Sequence, residues 1–167
     1  YADSNDLTSA EAYAQKSLLL YKQYKNATEL LANFNEQNNG KNLQDAISLF
    51  ENEKYNESLA LLNKVITSDS KNAYAYYYRG MIYDSKKKLN EAISDYKKAI
   101  SLNPEDLQIV NYMLGIDYDT LGKYKEAYNC YLAYANSNAA DDEYKQYAKN
   151  RSTELKNYAT TNTTTKK

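Results

Sequence analysis

Short blocks of the same polarity return along the chain at nearly constant spacing. Lys54-Tyr55-Asn56-Glu57-Ser58, Lys88-Leu89-Asn90-Glu91-Ala92 and Lys123-Tyr124-Lys125-Glu126-Ala127 each run from a lysine through a large apolar residue and two polar ones to a small residue. Tyr55 and Leu89 are 34 apart, Leu89 and Tyr124 are 35 apart, and a fainter copy, Gln23-Tyr24-Lys25-Asn26-Ala27, lies 31 before Tyr55. A period in this range marks a stack of supersecondary units. Within each copy the apolar positions recur at three and four residues, the period of a helix face.

Each copy therefore predicts two helices joined by a tight turn. The clearest copy gives helices over Ala73–Ser85 and Leu89–Leu102, closed by Asn103-Pro104, because proline pushes its predecessor out of the helical region. Asn72 and Asn90 are placed to cap the two starts. The preceding copy gives Asn42–Glu51 and Tyr55–Thr67. The following copy gives Glu105–Leu121, a turn at Gly122, and Tyr124–Asn136. Asp141 opens a last helix of about 17 residues, polar on much of its surface, as a cap should be. Thr160–Lys167 is a polar low-complexity tail. The run Tyr24/Ala27/Leu31/Phe34 copies Tyr55/Ser58/Leu62/Val65 and predicts a degenerate hairpin, Thr8–Tyr21 and Tyr24–Gln37. One continuous helix over Thr8–Asn35 is the competing reading, since no glycine or proline marks a turn near Lys22-Gln23. The domain so described spans residues 1–159, with units at about 8–38, 39–72, 73–106 and 107–140 and the cap at 141–159.

Gly80 and Gly115, with Ala92 and Ala127 on the partner helices, are small where two antiparallel helices should come closest. Tyr83, Tyr96, Tyr118 and Tyr131 are bulky one turn away, where the helices diverge. A single hairpin cannot bury both apolar faces, so each copy needs a neighbour.

This pattern resembles the tetratricopeptide repeat family, whose 34-residue unit reads W-x2-L-G-x2-Y, then A-x3-F, then P. One copy has Tyr76-x2-Arg79-Gly80-x2-Tyr83, Ala92-x3-Tyr96 and Pro104. The next has Asn111-x2-Leu114-Gly115-x2-Tyr118 and Ala127-x3-Tyr131, without proline. The copy before them is weaker, with Asp45-Ala46-x2-Leu49, Ser58-x3-Leu62 and Ser70. Arg79 stands where the family has leucine. The resemblance implies an all-α fold, a right-handed superhelical solenoid of helical hairpins with a C-terminal capping helix.

A second stripe runs along the first helix of each hairpin: Leu43, Ile47 and Phe50; Tyr77, Met81 and Asp84; Tyr112, Ile116 and Asp119. Its i, i+4, i+7 spacing puts each trio on one helix face, and Tyr74 joins the same surface. In the resembled family this face lines a concave groove that binds extended peptides or partner helices. The resemblance thus implies a protein-binding module whose partner is a protein or peptide segment. Packing of the stripe against neighbouring helices is the plainer alternative. Asp84 and Asp119 hold equivalent places and read as solvated helix-end carboxylates, as receivers of a basic ligand residue, or as paired catalytic carboxylates, the last supported by no nearby histidine or metal ligand. The expected ligand is apolar with at least one basic residue. Some family members grip a C-terminal carboxylate with lysine, asparagine or arginine on this face. Here none of Leu43, Ile47, Tyr77, Met81, Tyr112 and Ile116 is basic, which argues against capture of that kind. Secretion chaperones built on this repeat have a similar length and repeat number, but no residue motif ties the chain to them.

Composition narrows the remaining classes. The 167 residues carry 21 basic and 22 acidic side chains, a net charge of −1, which gives no basic surface for nucleic acid. Only Arg79 and Arg151 are arginine. There is no histidine, so no histidine triad or histidine-ligated metal, and no cofactor or metal site is expected. The single cysteine, Cys130, excludes an internal disulfide and reads as a packed structural thiol. No apolar run reaches the roughly 18 residues of a membrane helix. The 20 tyrosines beside two phenylalanines and no tryptophan make tyrosine the default bulky residue. The Tyr74–Tyr78 cluster is spread around its helix axis rather than arranged to stack on bases. No enzyme is indicated. A self-assembling scaffold, its groove or end filled by a second copy, is the alternative to a binding module, and a homo-oligomer fits either. The chain begins at Tyr1 without a methionine, so it reads as a fragment or processed product, soluble and cytoplasmic or exported after loss of a signal sequence.

Overall fold

The computed structural model describes residues 36–139 and 143–160, and it divides into two compact units, Tyr1–Lys41 and Asn42–Lys167. In the smaller unit residues 36–41 are helical. The expected hairpin over Thr8–Tyr21 and Tyr24–Gln37 lies outside the described residues except at its last two positions, as do the start of the last helix at Asp141 and the tail beyond Thr160.

The larger unit opens with helical residues 42–51 (α1). It continues through α2 (Tyr55–Ser68), α3 (Ala73–Ser85), α4 (Leu89–Leu102), α5 (Ile109–Thr120), α6 (Tyr124–Ala135) and α7 (Glu143–Thr160). Among the described residues there is no strand. Sequential helices pack on one another from α2 to α7, and α5 also touches α7. The fold is an all-α helical repeat.

Each hairpin closes on the same crossing. A Cβ added at Gly80 would stand 2.7 Å from two ring carbons of Tyr96, and one at Gly115 would stand 2.6 Å from those of Tyr131. Both rings are fully buried, as are Ala92 and Ala127. The first hairpin solves the same crossing differently. Its glycine position is Ala46 and its ring position is Leu62, both 0% exposed. The larger small residue is matched by a smaller large one. Ser58, which stands where later copies have alanine, donates its hydroxyl to the Ala46 carbonyl at 2.8 Å, so the buried oxygen is not left unpaired.

The turns inside the hairpins also repeat. Glu53, Lys87 and Gly122 occupy equivalent places and all adopt the left-handed conformation, with φ of 60°, 59° and 68°. In each the next amide reaches back five residues: Lys54 to Leu49, Lys88 to Tyr83 and Lys123 to Tyr118, at 2.8–2.9 Å. This double closure of the helix C-terminus sets the reversal. It also corrects the expectation that Asn90 caps α4. The helix starts at Leu89 with Lys88 in the cap position and no side-chain cap, because the turn has already oriented the chain. Asn72 does cap α3, accepting from the Ala75 amide at 3.0 Å.

A second correction concerns α5, expected from Glu105 but starting at Ile109. The Asn103 side chain accepts from the Asp106 amide and donates to its carboxylate, while the Asn103 carbonyl takes the Leu107 amide. Leu107, 3% exposed, plugs this turn into the core. Residues 104–108 are thereby held as turn rather than helix.

Two outcomes follow in urea unfolding. Gly80→Ala should cost about 1–3 kcal/mol by overpacking. Adding Tyr96→Leu should recover at least about 0.5 kcal/mol relative to the sum of the single changes, because Ala46 and Leu62 show that pair to be compatible. Lys87→Gly should stabilise by about 0.5–1 kcal/mol. It removes a left-handed lysine costing roughly 1–2 kcal/mol and returns about 0.5–1 kcal/mol as glycine entropy.

Candidate functional site

The stripe foreseen on the first helices lies on α1, α3 and α5, and none of its residues is sealed in the core. Leu43, Ile47, Phe50, Tyr77, Met81, Asp84, Tyr112 and Asp119 are half-buried, while Tyr74 and Ile116 are exposed. The residues fall into three groups by what supports them. Leu43 and Phe50 rest on the core formed by Ala46, Leu62, Val65, Ala75 and Ile82. Tyr77 and Met81 rest on the next core, around Ala92, Tyr96 and Val110. Tyr112 rests on the third, around Ala127, Tyr131 and Ala148.

Tyr78 joins the first two groups. Its ring meets Phe50 edge-on at 5.6 Å and Tyr77 edge-on at 5.1 Å. Such tilted contacts suit the ring quadrupoles. Tyr74 donates to Asp106 at 3.4 Å across the exposed edge. At the other end Tyr112 is enclosed by aromatic neighbours, with Tyr144 and Tyr147 of α7 at 5.2 and 5.9 Å and Tyr134 at 5.7 Å. The capping helix therefore covers part of the third copy's stripe. The sequence pattern does not connect Tyr144 and Tyr147 to Tyr112, because contacts more than 30 residues apart leave no local periodicity.

Asp84 and Asp119, equivalent by position, differ in surroundings. Asp119 is neither solvated nor open. Arg151 of α7 grips it with Nε to Oδ2 at 2.6 Å and Nη2 to Oδ1 at 2.9 Å, while its Nη1 reaches Glu154 at 2.6 Å. Those bonds raise the guanidinium's already high pKa. The expectation for Asp119 is corrected accordingly: the chain's own cap occupies it. Asp84 has no ion-pair partner among the described residues.

Two further polar features were missed. Arg79, noted in the sequence only as a departure, forks onto Asp95 with Nε and Nη2 at 2.6 and 2.8 Å, and its Nη1 reaches Asn63 at 2.8 Å. Its guanidinium also lies 5.5 Å from the Tyr76 ring. Breaking such a buried pair from one side costs about 3–5 kcal/mol. Asp117 on α5 is 1% exposed, and its Oδ2 has no hydrogen-bond partner. The equivalent residue one copy earlier is Ile82, so an acid in that register was the signal that could have exposed it. Burial, and then the charge of Asp84, push the Asp117 carboxyl from 3.8 to about 7, with Lys87 opposing. Cys130 is half-buried, and burial lifts its thiol to about 11, which leaves little thiolate at neutral pH.

Asp117 fixes a pH dependence. The unfolded chain releases this proton near pH 3.8, whereas the folded chain keeps it to about 7. The folded state binds more protons over that window, so its stability falls as pH rises from about 4 to 7 and then levels. Asp117→Asn should remove this decline. In unfolding measured at pH 5 and pH 8, the variant should gain relative stability at pH 8, on the order of 3 kcal/mol.

The family pattern of the tetratricopeptide repeat matches residues 73–106, the hairpin of α3 and α4. No curated protein sequence matches the chain. Among solved structures, the chain resembles the type III secretion chaperone SycD of Yersinia enterocolitica in complex with a peptide of the translocator YopD. The identity is 12% over 71% of this chain and 92% of that one, with a TM-score of 0.62. The first repeat domain of Spaghetti (RPAP3), bound to the HSP90 peptide SRMEEVD, is 21% identical over 73% and 93%, with a TM-score of 0.62. The repeat domain of Arabidopsis OM64 is 16% identical over 74% and 98%, with a TM-score of 0.64. The chain thus carries a tetratricopeptide repeat at residues 73–106 and shares its all-α helical-repeat fold with domains of that repeat.

Proposed function

We propose that the protein is a non-enzymatic interaction module that binds a protein segment on the face bearing Leu43, Ile47, Phe50, Tyr74, Tyr77 and Met81. The observation that carries this reading is the incomplete burial of that stripe. Its apolar side chains are braced from beneath by two cores yet remain half-open, as an anchor surface requires. Tyrosine supplies a large contact area with few rotatable bonds and a hydroxyl for hydrogen bonding. Two proteins of similar fold, SycD and Spaghetti, are solved with peptides, which supports the same use here.

The ligand differs in charge from the HSP90 peptide, which ends in acidic residues. The proposed face has no lysine or arginine among its stripe residues, and its remaining open charge is Asp84. An apolar segment with at least one basic residue fits, either extended or as a helix. Tyr112 and Ile116 continue the surface, with Tyr144 and Tyr147 beside them, while Asp119 is satisfied by Arg151. Chemistry on substrates is disfavoured by the absence of histidine and by the raised thiol of Cys130. Among the described residues no helix is long and apolar enough to cross a membrane.

A second reading, self-association, is favoured by the exposure of Tyr144, Tyr147 and Tyr158 on α7 and Leu132 on α6. Mass in solution separates the two: a monomer at micromolar concentration supports the open face, and an obligate dimer supports the scaffold.

Peptides selected from a random display library against the protein should be apolar with arginine or lysine. Tyr74→Ala and Tyr77→Ala should each weaken a selected peptide by about 1–3 kcal/mol in calorimetry, the range for an interface anchor. Helical circular dichroism should be retained. Equal affinity in both variants would remove the face from consideration.

A further inference from the structure

A line of aromatic rings crosses the boundary between the first two hairpins. Tyr55 of α2 meets Phe50 of α1 at 5.7 Å, Phe50 meets Tyr78 of α3 at 5.6 Å, and Tyr78 meets Tyr77 at 5.1 Å. Tyr55, Phe50 and Tyr78 pack on the first core, whereas Tyr77 packs on the second. All four are half-buried. Among the described residues no ring contact joins Phe50 to Tyr77 directly, so Tyr78 is the ring between them. The arrangement is not repeated further along. Met113 of α5 holds the place of Tyr78 in the next hairpin. Tyr112 beside it makes its ring contacts with Tyr131 and Tyr134 of α6 and with Tyr144 and Tyr147 of α7.

We infer that Tyr78 is a positioning residue that couples the Phe50 and Tyr77 anchors, so that a bound segment engages the first and second hairpins as one site rather than two. The inference deepens the groove reading and rests on it for the role of the two anchors. Tyr78 lies outside the stripe and needs no ligand contact of its own. A ring on a helix has few rotamers open to it, and an edge-on neighbour favours one of them. A ligand group pressed on Phe50 holds that ring against Tyr78, and Tyr78 in turn holds Tyr77 in the rotamer that faces it. Removing either anchor therefore loosens the other. Where the bridging ring is replaced, as at Met113, the anchors on its two sides act separately.

The consequence is a departure from additivity. Residues that share a partner interact in mutational cycles, whereas separated residues do not. Losing the Phe50 ring and the Tyr77 ring together should weaken a bound segment less than the product of the two single losses. The shortfall should be about three- to tenfold, the factor for one tilted aromatic pair. Tyr77 and Tyr112, with no ring joining them, should give the product itself. A Tyr78 that merely filled space would lower stability when replaced and leave the two cycles alike.

The test has one arm without a ligand and one with. In the full chain carrying ring-13C tyrosine, the Tyr77 signal is assigned by nuclear magnetic resonance from its loss in Tyr77→Phe. Phe50→Leu should shift that signal although the two rings do not touch. In a Tyr78→Met background, which copies the next hairpin, the same change should leave it in place, while Tyr78→Phe should preserve the shift. The second arm is calorimetry of one apolar, arginine-bearing peptide from the display selection, over Phe50→Leu, Tyr77→Ala and the double variant. The double variant should bind about three- to tenfold more tightly than the product of the single losses. Tyr78→Met should abolish that excess and Tyr78→Phe retain it, with Tyr77→Ala and Tyr112→Ala as the additive control. Should Tyr78→Met fail to fold, the cycle in the native chain and the Tyr112 control decide. An unmoved Tyr77 signal, or equal coupling in the Tyr78→Met background, would overturn the inference. An additive Phe50 and Tyr77 pair whose single losses are both intact removes the coupling alone. A peptide indifferent to both single changes removes the groove, and the coupling with it.

Discussion

Everything in the larger unit hangs on one steric exchange, an aromatic ring laid flat against a glycine where two helices cross. Tyr96 over Gly80 and Tyr131 over Gly115 leave no room for a methyl group, so ring and backbone meet directly at each crossing. That approach sets the hairpin angle, and the hairpin angle sets where the outer face of the first helix points. The first copy shows that the constraint concerns summed volume rather than residue identity. Ala46 and Leu62 fill the same crossing with the bulk redistributed, as expected of interiors packed to near-crystalline density.

Polar groups then pin neighbouring helices to one another. Arg79 and Asp95 lock α3 to α4, and Arg151 and Asp119 lock the cap to α5. Both are fork-on-carboxylate pairs, shielded enough that each partner depends on the other. Asp117 breaks the pattern, since it is buried at the seam between the second and third hairpins with one oxygen unanswered. A solenoid propagates by nearest-neighbour contacts, so an acid at a seam tunes one interface without disturbing its neighbours.

Much of this was legible in the residue pattern. The bounds of α3 and α4 follow from the Asn72 cap and from Pro104, both local signals that act within a few residues. Gly80, Gly115, Ala92 and Ala127 were legible because smallness at a fixed spacing has few other causes. What escaped depends on side chains meeting across the fold. Asn90 resembles a cap in sequence, but the turn at Lys87 and Lys88 closes the preceding helix and leaves nothing for it to do. The late start of α5 hides in the bracket that Asn103 forms around Asp106. Of the stripe residues, the spacing located every one on its helix. It did not foresee that Asp119 would be taken by Arg151, 32 residues on, or that Tyr112 would be roofed by Tyr144 and Tyr147.

The asymmetry between the two ends of the stripe bears on what it selects. At the third copy, α7 supplies aromatic cover over Tyr112 and an arginine on Asp119. At the second copy the same positions are Tyr77, Met81 and Asp84, with no such cover from α7 and no arginine supplied. Under the proposed function, the protein's own cap is an internal example of the chemistry the open positions would accept: tyrosine-flanked, with a guanidinium on an aspartate. A segment that mimics α7 in presenting aromatic or aliphatic bulk one turn from an arginine would meet complementary surface at the second copy. Under the proposed function, an acidic chain end would meet the Asp84 carboxylate without a basic residue in the stripe, and like charge held in a half-buried site repels more strongly than it would in water. Specificity on this reading comes as much from what the face refuses as from what it holds.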